Sequence, residues 1–233
     1  RELLRRKSFL RTIYEGIYAR FAEEARRCPA GGRIVEIGSG AGFLKELIPE
    51  ALTTDVLPYA GVDQVVDAAR LPFPDESLRA ICMLNVFHHL PDVSRFLLEA
   101  QRCLAPGGRL LLADQHPGLI GASIFKYFHH EPFDMDAVDW SFESTGPLSG
   151  ANGALAWIVF RRDLSKMQAL TPKLKLERYA PILPLSYWLA GGLKPWSLVP
   201  GWAGALPRLL DRLLLALSPN FGSFVEIELV KSP

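Results

Sequence analysis

Cysteine is scarce in this chain, three in 233 residues, and Cys28, Cys82 and Cys103 lie far apart with no C-x-x-C pair. An odd, scattered set excludes a disulfide framework and a cysteine zinc site, and reads as reduced, buried thiols of a cytoplasmic protein. A surplus of either charge is also missing, since 26 basic and 25 acidic side chains leave a net charge of +1. That balance gives no general attraction toward a polyanion, so nucleic acid is not an expected partner. No apolar run reaches the about 20 residues that a membrane-spanning helix needs. No internal repeat, low-complexity tract or cleavable leader is visible, and the chain starts at Arg1, leaving room for residues upstream. What is present is a globular composition, 49% hydrophobic and 22% charged, at a length that suits one larger domain spanning 1–233.

Residues 33–42 carry the strongest local signal. Arg33-Ile34-Val35-Glu36-Ile37 reads as a short apolar strand with one acid, and it breaks into Gly38, Gly40 and Gly42 around Ser39. Glycine has no Cβ and tolerates positive φ, so such a turn lets backbone approach a nucleotide-like ligand closely. A helix is predicted to open at 43–47. A dinucleotide site reads G-x-G-x-x-G, its third glycine tightening the helix against the strand. The spacing here, G-x-G-x-G, argues against NAD.

Five further segments follow in order: Thr53-Thr54-Asp55-Val56; Asp67-Ala68-Ala69-Arg70-Leu71-Pro72-Phe73-Pro74-Asp75-Glu76-Ser77-Leu78; Asn85-Val86-Phe87-His88-His89-Leu90; a helix at 98–104; and Ala105-Pro106-Gly107-Gly108-Arg109-Leu110. With the glycine turn they cover about the first half of the chain, and together they resemble class I S-adenosylmethionine-dependent methyltransferases of the small-molecule, type 11 subgroup. The resemblance implies a Rossmann-like α/β fold, a seven-stranded, mostly parallel sheet of order 3-2-1-4-5-7-6 with helices on both faces and a reversed last strand. It implies S-adenosyl-L-methionine as donor and S-adenosyl-L-homocysteine as product. By the family pattern Glu36 lies beneath the turn near the donor's methionine end, and Gly38, Ser39, Gly40 and Gly42 line its approach. Asp55, with Val56 beside it, meets the ribose hydroxyls, a task that suits a carboxylate with several acceptor sites and no donor. Asp67 and the Ala68 backbone meet the adenine, and Asn85 faces the transferring methyl. One departure is Arg79, where the family places an aspartate.

Beyond the motifs, period and composition set the organisation. Leu10, Ile13, Tyr14, Ile17, Phe21 and Ala25 recur at helical spacing, which predicts one helix or two short ones over 3–27, with Arg1, Arg5, Arg6, Lys7 and Arg11 crowding its start. That basic start is either a solvated face or a contact with anionic lipid or substrate. Strands are predicted at 33–37, 51–56, 79–84 and 109–113, alternating with helices as in βαβ units. Residues 115–153 lack a clear period and read as a cover over the site. Ala154 to Phe160 reads as a strand, Asp163 to Ala169 as a helix, and Leu174–Tyr179 and Ser223–Val230 as strands. Between the last two lies an insertion, 181–220, rich in Leu, Trp, Pro and Gly, with a helical run from Leu206 to Leu217. Three uses stay open for it: a lid over an apolar substrate, formed by Trp188, Trp196, Trp202 and that helix; a homodimer surface; or a peripheral membrane contact, since aromatics beside Lys and Arg suit headgroup depth.

Methyl transfer from a sulfonium is an in-line displacement, so the protein mainly holds two partners in place and excludes water. Histidine is the residue that takes a proton from an attacking hydroxyl near neutral pH, which makes His129 and His130 in the cover, and His88 of the His88-His89 pair, the catalytic candidates. The resembled subgroup carries that pair whatever its acceptor, which implies that one ring is structural and the other lines the pocket. His129, His130, Glu131, Asp134 and Asp136 also look like metal ligands, but adjacent histidines in an extended segment point apart, and no metal is expected. The expectation is thus a methyltransferase acting on a small, apolar acceptor, at oxygen. The alternative is a non-catalytic scaffold or partner subunit that keeps the donor fold.

Overall fold

Residues 33–37 bury alternate side chains on opposite faces of a sheet, Val35 and Ile37 into one core and Ile34 into another. This two-sided burial is what a central parallel strand requires, and it recurs along the chain. The computed structural model describes residues 2–40, 42–128 and 131–233. Its strands are β1 (Arg33–Ile37), β2 (Leu52–Asp55), β3 (Gln64–Val65), β4 (Leu78–Leu84), β5 (Leu104–Gln115), β6 (Leu174–Ile182) and β7 (Phe224–Lys231). They form one sheet of order β3-β2-β1-β4-β5-β7-β6. The first five are parallel, and β7 runs antiparallel to both β5 and β6. Order and reversed strand are those the resemblance implies.

Of the two forms open for 3–27, the chain takes two helices, a short α1 (Glu2–Arg6) and a long α2 (Ser8–Arg26). α2 lays Leu10, Ile13, Ile17 and Phe21 over the face that carries Ala80, Cys82 and Leu111. The opposite face is covered by α3 (Val93–Cys103), whose N-terminus is capped where Asp92 accepts the N–H of Arg95 at 3.1 Å, an interaction worth about 1 kcal/mol. Its Phe96, Leu97 and Ala100 meet Ile81, Met83 and Leu110.

The structure corrects two expectations. Residues 154–160 are not a strand: Leu155–Trp157 is α-helical and Ile158–Arg162 continues as a π turn. Ala154, Leu155, Ala156, Ile158, Val159 and Phe160 are all buried, and a short run buried all round has no period that distinguishes strand from helix. The helix expected at 43–47 is a single 3-10 turn, Leu44–Glu46, with Pro49 three residues on. Among its described residues the cover 115–153 holds one helix, α4 (Gly121–Phe128). Numbering the Leu155–Trp157 helix α5, the remaining helices are α6 (Leu164–Leu170), α7 (Ser186–Leu189) and α8 (Ala205–Leu217). Arg79, the departure from the family pattern, pairs with Glu50 at 3.1 Å.

Candidate functional site

In an open α/β sheet, ligands bind beyond the carboxyl ends of the strands where the strand order reverses. Here that point lies between β1 and β4, and a cleft of about 780 Å³ opens there, a size suited to a cofactor with a small substrate. Of the ten residues assigned to the donor from sequence, nine lie on its wall: Gly38, Ser39, Gly40, Gly42, Asp55, Val56, Asp67, Ala68 and Asn85. The tenth, Glu36, is buried in β1, and the hydroxyl of Tyr18 is hydrogen-bonded to it.

The turn after β1 is fixed by backbone bonds: Ser39 N–H to Thr54 O at 2.8 Å and Gly42 N–H to Ser39 O at 2.5 Å. Gly38 has φ +69°, and a Cβ there would overlap the Val86 side chain. Gly40 has φ +40° and donates its N–H to Asp55 Oδ2 at 2.9 Å. Asp55 Oδ1 accepts the N–H of Leu57 at 3.0 Å. Each oxygen of this buried carboxylate retains a second acceptor site, as a pair of ribose hydroxyls requires. Asp67, on the exposed side, accepts the Ala69 N–H at 2.9 Å.

Asn85 follows β4 with φ +55°, a conformation that asparagine adopts more readily than most residues and that marks sites held against local strain. Its side chain is hydrogen-bonded to Tyr14, which also bonds Tyr187. Burial raises the Tyr14 phenol above its ordinary pKa against the pull of these two partners; burial, then the Glu36 charge, lifts Tyr18 further. Both phenols remain protonated at physiological pH. The Asn85 Oδ1 is buried without a protein partner. An orphaned acceptor beside a glycine-lined turn fits a ligand that carries donors, as the ammonium, ribose and adenine groups of S-adenosylmethionine do.

The histidines divide their roles. His88 is buried and absent from the cleft wall, with Nδ1 2.6 Å from Asp114 Oδ1 and Nε2 3.4 Å from Glu131 Oε2. Burial disfavours its imidazolium, yet the charge and hydrogen bond of Asp114, with those of Glu131, override this and raise the pKa to about 10. A group already protonated at neutral pH accepts no further proton, so His88 does not suit the role of base. His89 does line the cleft, with Nδ1 3.3 Å from Gly150 O, and burial followed by the His88 charge lowers its pKa, leaving it neutral. His129 and His130 lie outside the described residues. Among the described residues His88, His89 and Glu131 bring three ligand atoms within 4.8 Å of one another, and the proton on His88 supplies positive charge there. Asp134 instead shapes its loop, accepting the Asp136 N–H at 2.9 Å.

Both insertions reach the cleft. The cover contributes Ser144, Gly146, Pro147 and Leu148, the insertion 181–220 contributes Leu193, and α1 contributes Leu4. The three tryptophans expected as the lid are not on the wall. Trp188 is packed against Phe125 and Phe224 and donates to Ser223 Oγ at 2.8 Å, while Trp196 and Trp202 face outward. Sequence reasoning missed Tyr14 and Tyr18 as cleft residues. Their one signal is two hydroxyls at i and i+4 on an otherwise apolar helix face, each needing a partner once buried.

A family model described as "Methyltransferase domain" matches residues 6–163. The demethylmenaquinone methyltransferase of Deinococcus radiodurans is 35% identical over a stretch covering 42% of this chain and 50% of that protein. The 27-O-demethylrifamycin SV methyltransferase of Amycolatopsis mediterranei is 34% identical, covering 36% of this chain and 39% of that one. The match thus spans half or less of these relatives' length. Among solved structures, the YcgJ protein of Bacillus subtilis superposes with a TM-score of 0.51 at 16% identity, covering 94% of this chain and 99% of that one, a likeness of fold.

Proposed function

Because the chain belongs to the methyltransferase domain family, whose donor is S-adenosyl-L-methionine, we propose that it transfers the donor's methyl group to a small, apolar acceptor, at oxygen. The observation that carries this reading is the gathering of Gly38, Gly40, Asp55, Asp67 and Asn85 on one cleft whose remaining wall is largely apolar. The bound donor supplies a methyl on a positively charged sulfur, already activated for displacement. Asp55 holds the ribose hydroxyls with its spare acceptor sites, Asp67 and the Ala68 backbone hold the adenine, and the Gly38–Gly42 turn lies against the methionine portion with Glu36 behind it. Asn85, oriented by Tyr14, faces the reacting end. Leu4, Leu90, Leu148 and Leu193 form the apolar walls against which an acceptor is held and from which water is excluded.

Oxygen as the target rests on His89. It is the described histidine that lines the cleft, and it is neutral, so its ring is able to take the proton that an attacking hydroxyl gives up. The name of the rifamycin relative, a 27-O-demethyl substrate, points the same way. Incubation with donor labelled in its methyl group and a panel of apolar phenols and alcohols, read by mass spectrometry, tests the proposal. A methyl ether is expected; label on nitrogen or carbon acceptors alone overturns the oxygen assignment, and no transfer to any acceptor in a donor-binding protein favours the scaffold reading.

A further inference from the structure

Helix α8 is mounted inside out. Its buried residues are Pro207 and Asp211, with Leu214 and Leu215 half-buried, and the Asp211 carboxylate accepts the N–H of Leu185 at 2.7 Å and of Ser186 at 3.2 Å, which fixes the helix by this side. Leu206, Leu209, Leu210, Leu213 and Leu217 point away from the protein, each between 38% and 78% exposed. At spacing i, i+3, i+4, i+7 and i+11 they fall on one stripe, within an arc of about 100°. A soluble helix turns such a stripe inward. The turn that feeds α8 carries Trp202, 88% exposed, and Leu198 and Trp196 are also open to solvent.

The exposed charges of this insertion have one sign. Between residues 183 and 222 the bases are Lys194, Arg208 and Arg212, all exposed, and the sole acid is the buried Asp211. Arg5 of α1 adds to the basic side, while Arg6 is paired with the exposed Glu2 at 2.6 Å, and the chain that follows α1 is tied to the insertion where Lys7 Nζ donates to Gly192 O at 2.5 Å and Lys194 O at 2.9 Å. Aliphatic stripe, exposed indole and flanking bases in excess of exposed acid match the chemistry of the headgroup boundary of an anionic bilayer, where leucines enter the acyl region and arginines remain with the phosphates. A second copy of the chain offers the same bases and no exposed acid from this segment to meet them.

We propose that α8, with Trp202 and Leu198, docks this protein on an anionic lipid surface without spanning it. No described helix is long and apolar enough to cross a membrane. Leu4 and Leu193, which line the cleft, belong to the same two segments that carry the basic residues, so docking brings the mouth of the cleft to the lipid. An acceptor dissolved in the bilayer then reaches the cleft without crossing water, a corollary that rests on the methyl-transfer reading, whereas docking itself does not.

The test is co-sedimentation of the full chain with vesicles of phosphatidylcholine alone and of phosphatidylcholine with phosphatidylglycerol. Binding is expected to the mixed vesicles, to weaken with added salt, and to fall by about tenfold or more in Leu209→Ser/Leu213→Ser, since each leucine removes a buried apolar side chain. Arg208→Glu/Arg212→Glu is expected to remove the preference for anionic lipid. These positions are exposed, and S-adenosylhomocysteine affinity by calorimetry reports on the fold and donor site separately. Brominated acyl chains are expected to quench fluorescence in the wild type and less so in Trp202→Phe. Absence of vesicle binding by the native chain overturns the proposal, and so does a dimer in solution that Leu209→Ser/Leu213→Ser dissociates while vesicle binding is unchanged.

Discussion

The N–H of Gly40 and the carboxylate of Asp55 meet at 2.9 Å across the ends of β1 and β2. One residue is in the left-handed region and the other is a buried acid. Each therefore depends on the other: the acid fixes the turn, and the turn supplies one of the two N–H groups that compensate a buried charge. The proposed donor site is the space this pair leaves open.

Gly40→Val is expected to abolish donor binding while the protein stays folded. A Cβ at this position finds open space, with Asp55 Oδ2 the nearest side-chain atom at 3.7 Å, so the core is not disturbed. The branched methyls, however, enter the cleft, and the positive φ disfavours a β-branched residue. Calorimetry with S-adenosylhomocysteine, beside a native circular dichroism spectrum, checks it.

Trp188→Ala is expected to cost about 3 kcal/mol of stability, as large-to-small changes at a packed aromatic do, because its ring fills the space between Phe125 and Phe224. Trp202→Ala is expected to stay within about 0.5 kcal/mol, as exposed positions do. Urea denaturation of both separates the part of the insertion that is core from the part that is surface.

His88 links stability to pH. Its folded pKa, about 10, lies above the ordinary value of 6.5, so its protonation stabilises the fold fully below about pH 6.5 and this contribution is lost as pH rises through 10. The stability difference between wild type and His88→Gln is therefore expected to be largest near pH 6 and to shrink steadily toward pH 10. A difference that does not change with pH removes the imidazolium assignment.

His89→Gln is expected to lower kcat for a hydroxyl acceptor by about 100-fold or more, the range of general-base contributions, with S-adenosylhomocysteine affinity within a few-fold of wild type. Equal loss of both places His89 in donor binding instead.

Much of this arrangement is legible in the sequence between residues 33 and 115, because central parallel strands bury both faces and the turns between them demand glycine, aspartate and asparagine at fixed places. The strand order and the cleft set from Gly38 to Asn85 come from the resemblance that these placed residues carry. What was not legible depends on tertiary neighbours. Ala154 to Phe160 is apolar throughout, and only its enclosure makes it a helix. Tyr14 reads as part of the apolar face of α2 and Tyr18 carries no reading at all, since nothing local tells a hydroxyl aimed at a cleft from one satisfied in packing. The direction in which α8 faces is invisible to period alone: its leucine stripe is plain in the sequence, but the burial of Asp211 on the opposite side is not.

The central claim is that the cleft between β1 and β4 is the donor site, with Asp55 as its ribose acceptor. Titration calorimetry of S-adenosylhomocysteine into wild type, Asp55→Asn and Asp55→Ala tests it most directly. The account expects one site in the wild type, weaker binding in Asp55→Asn, and a loss of tenfold to more than a hundredfold in a folded Asp55→Ala, as unpaired hydroxyls cost about 1 to 3 kcal/mol. Unchanged affinity in Asp55→Ala, with native circular dichroism, would contradict it.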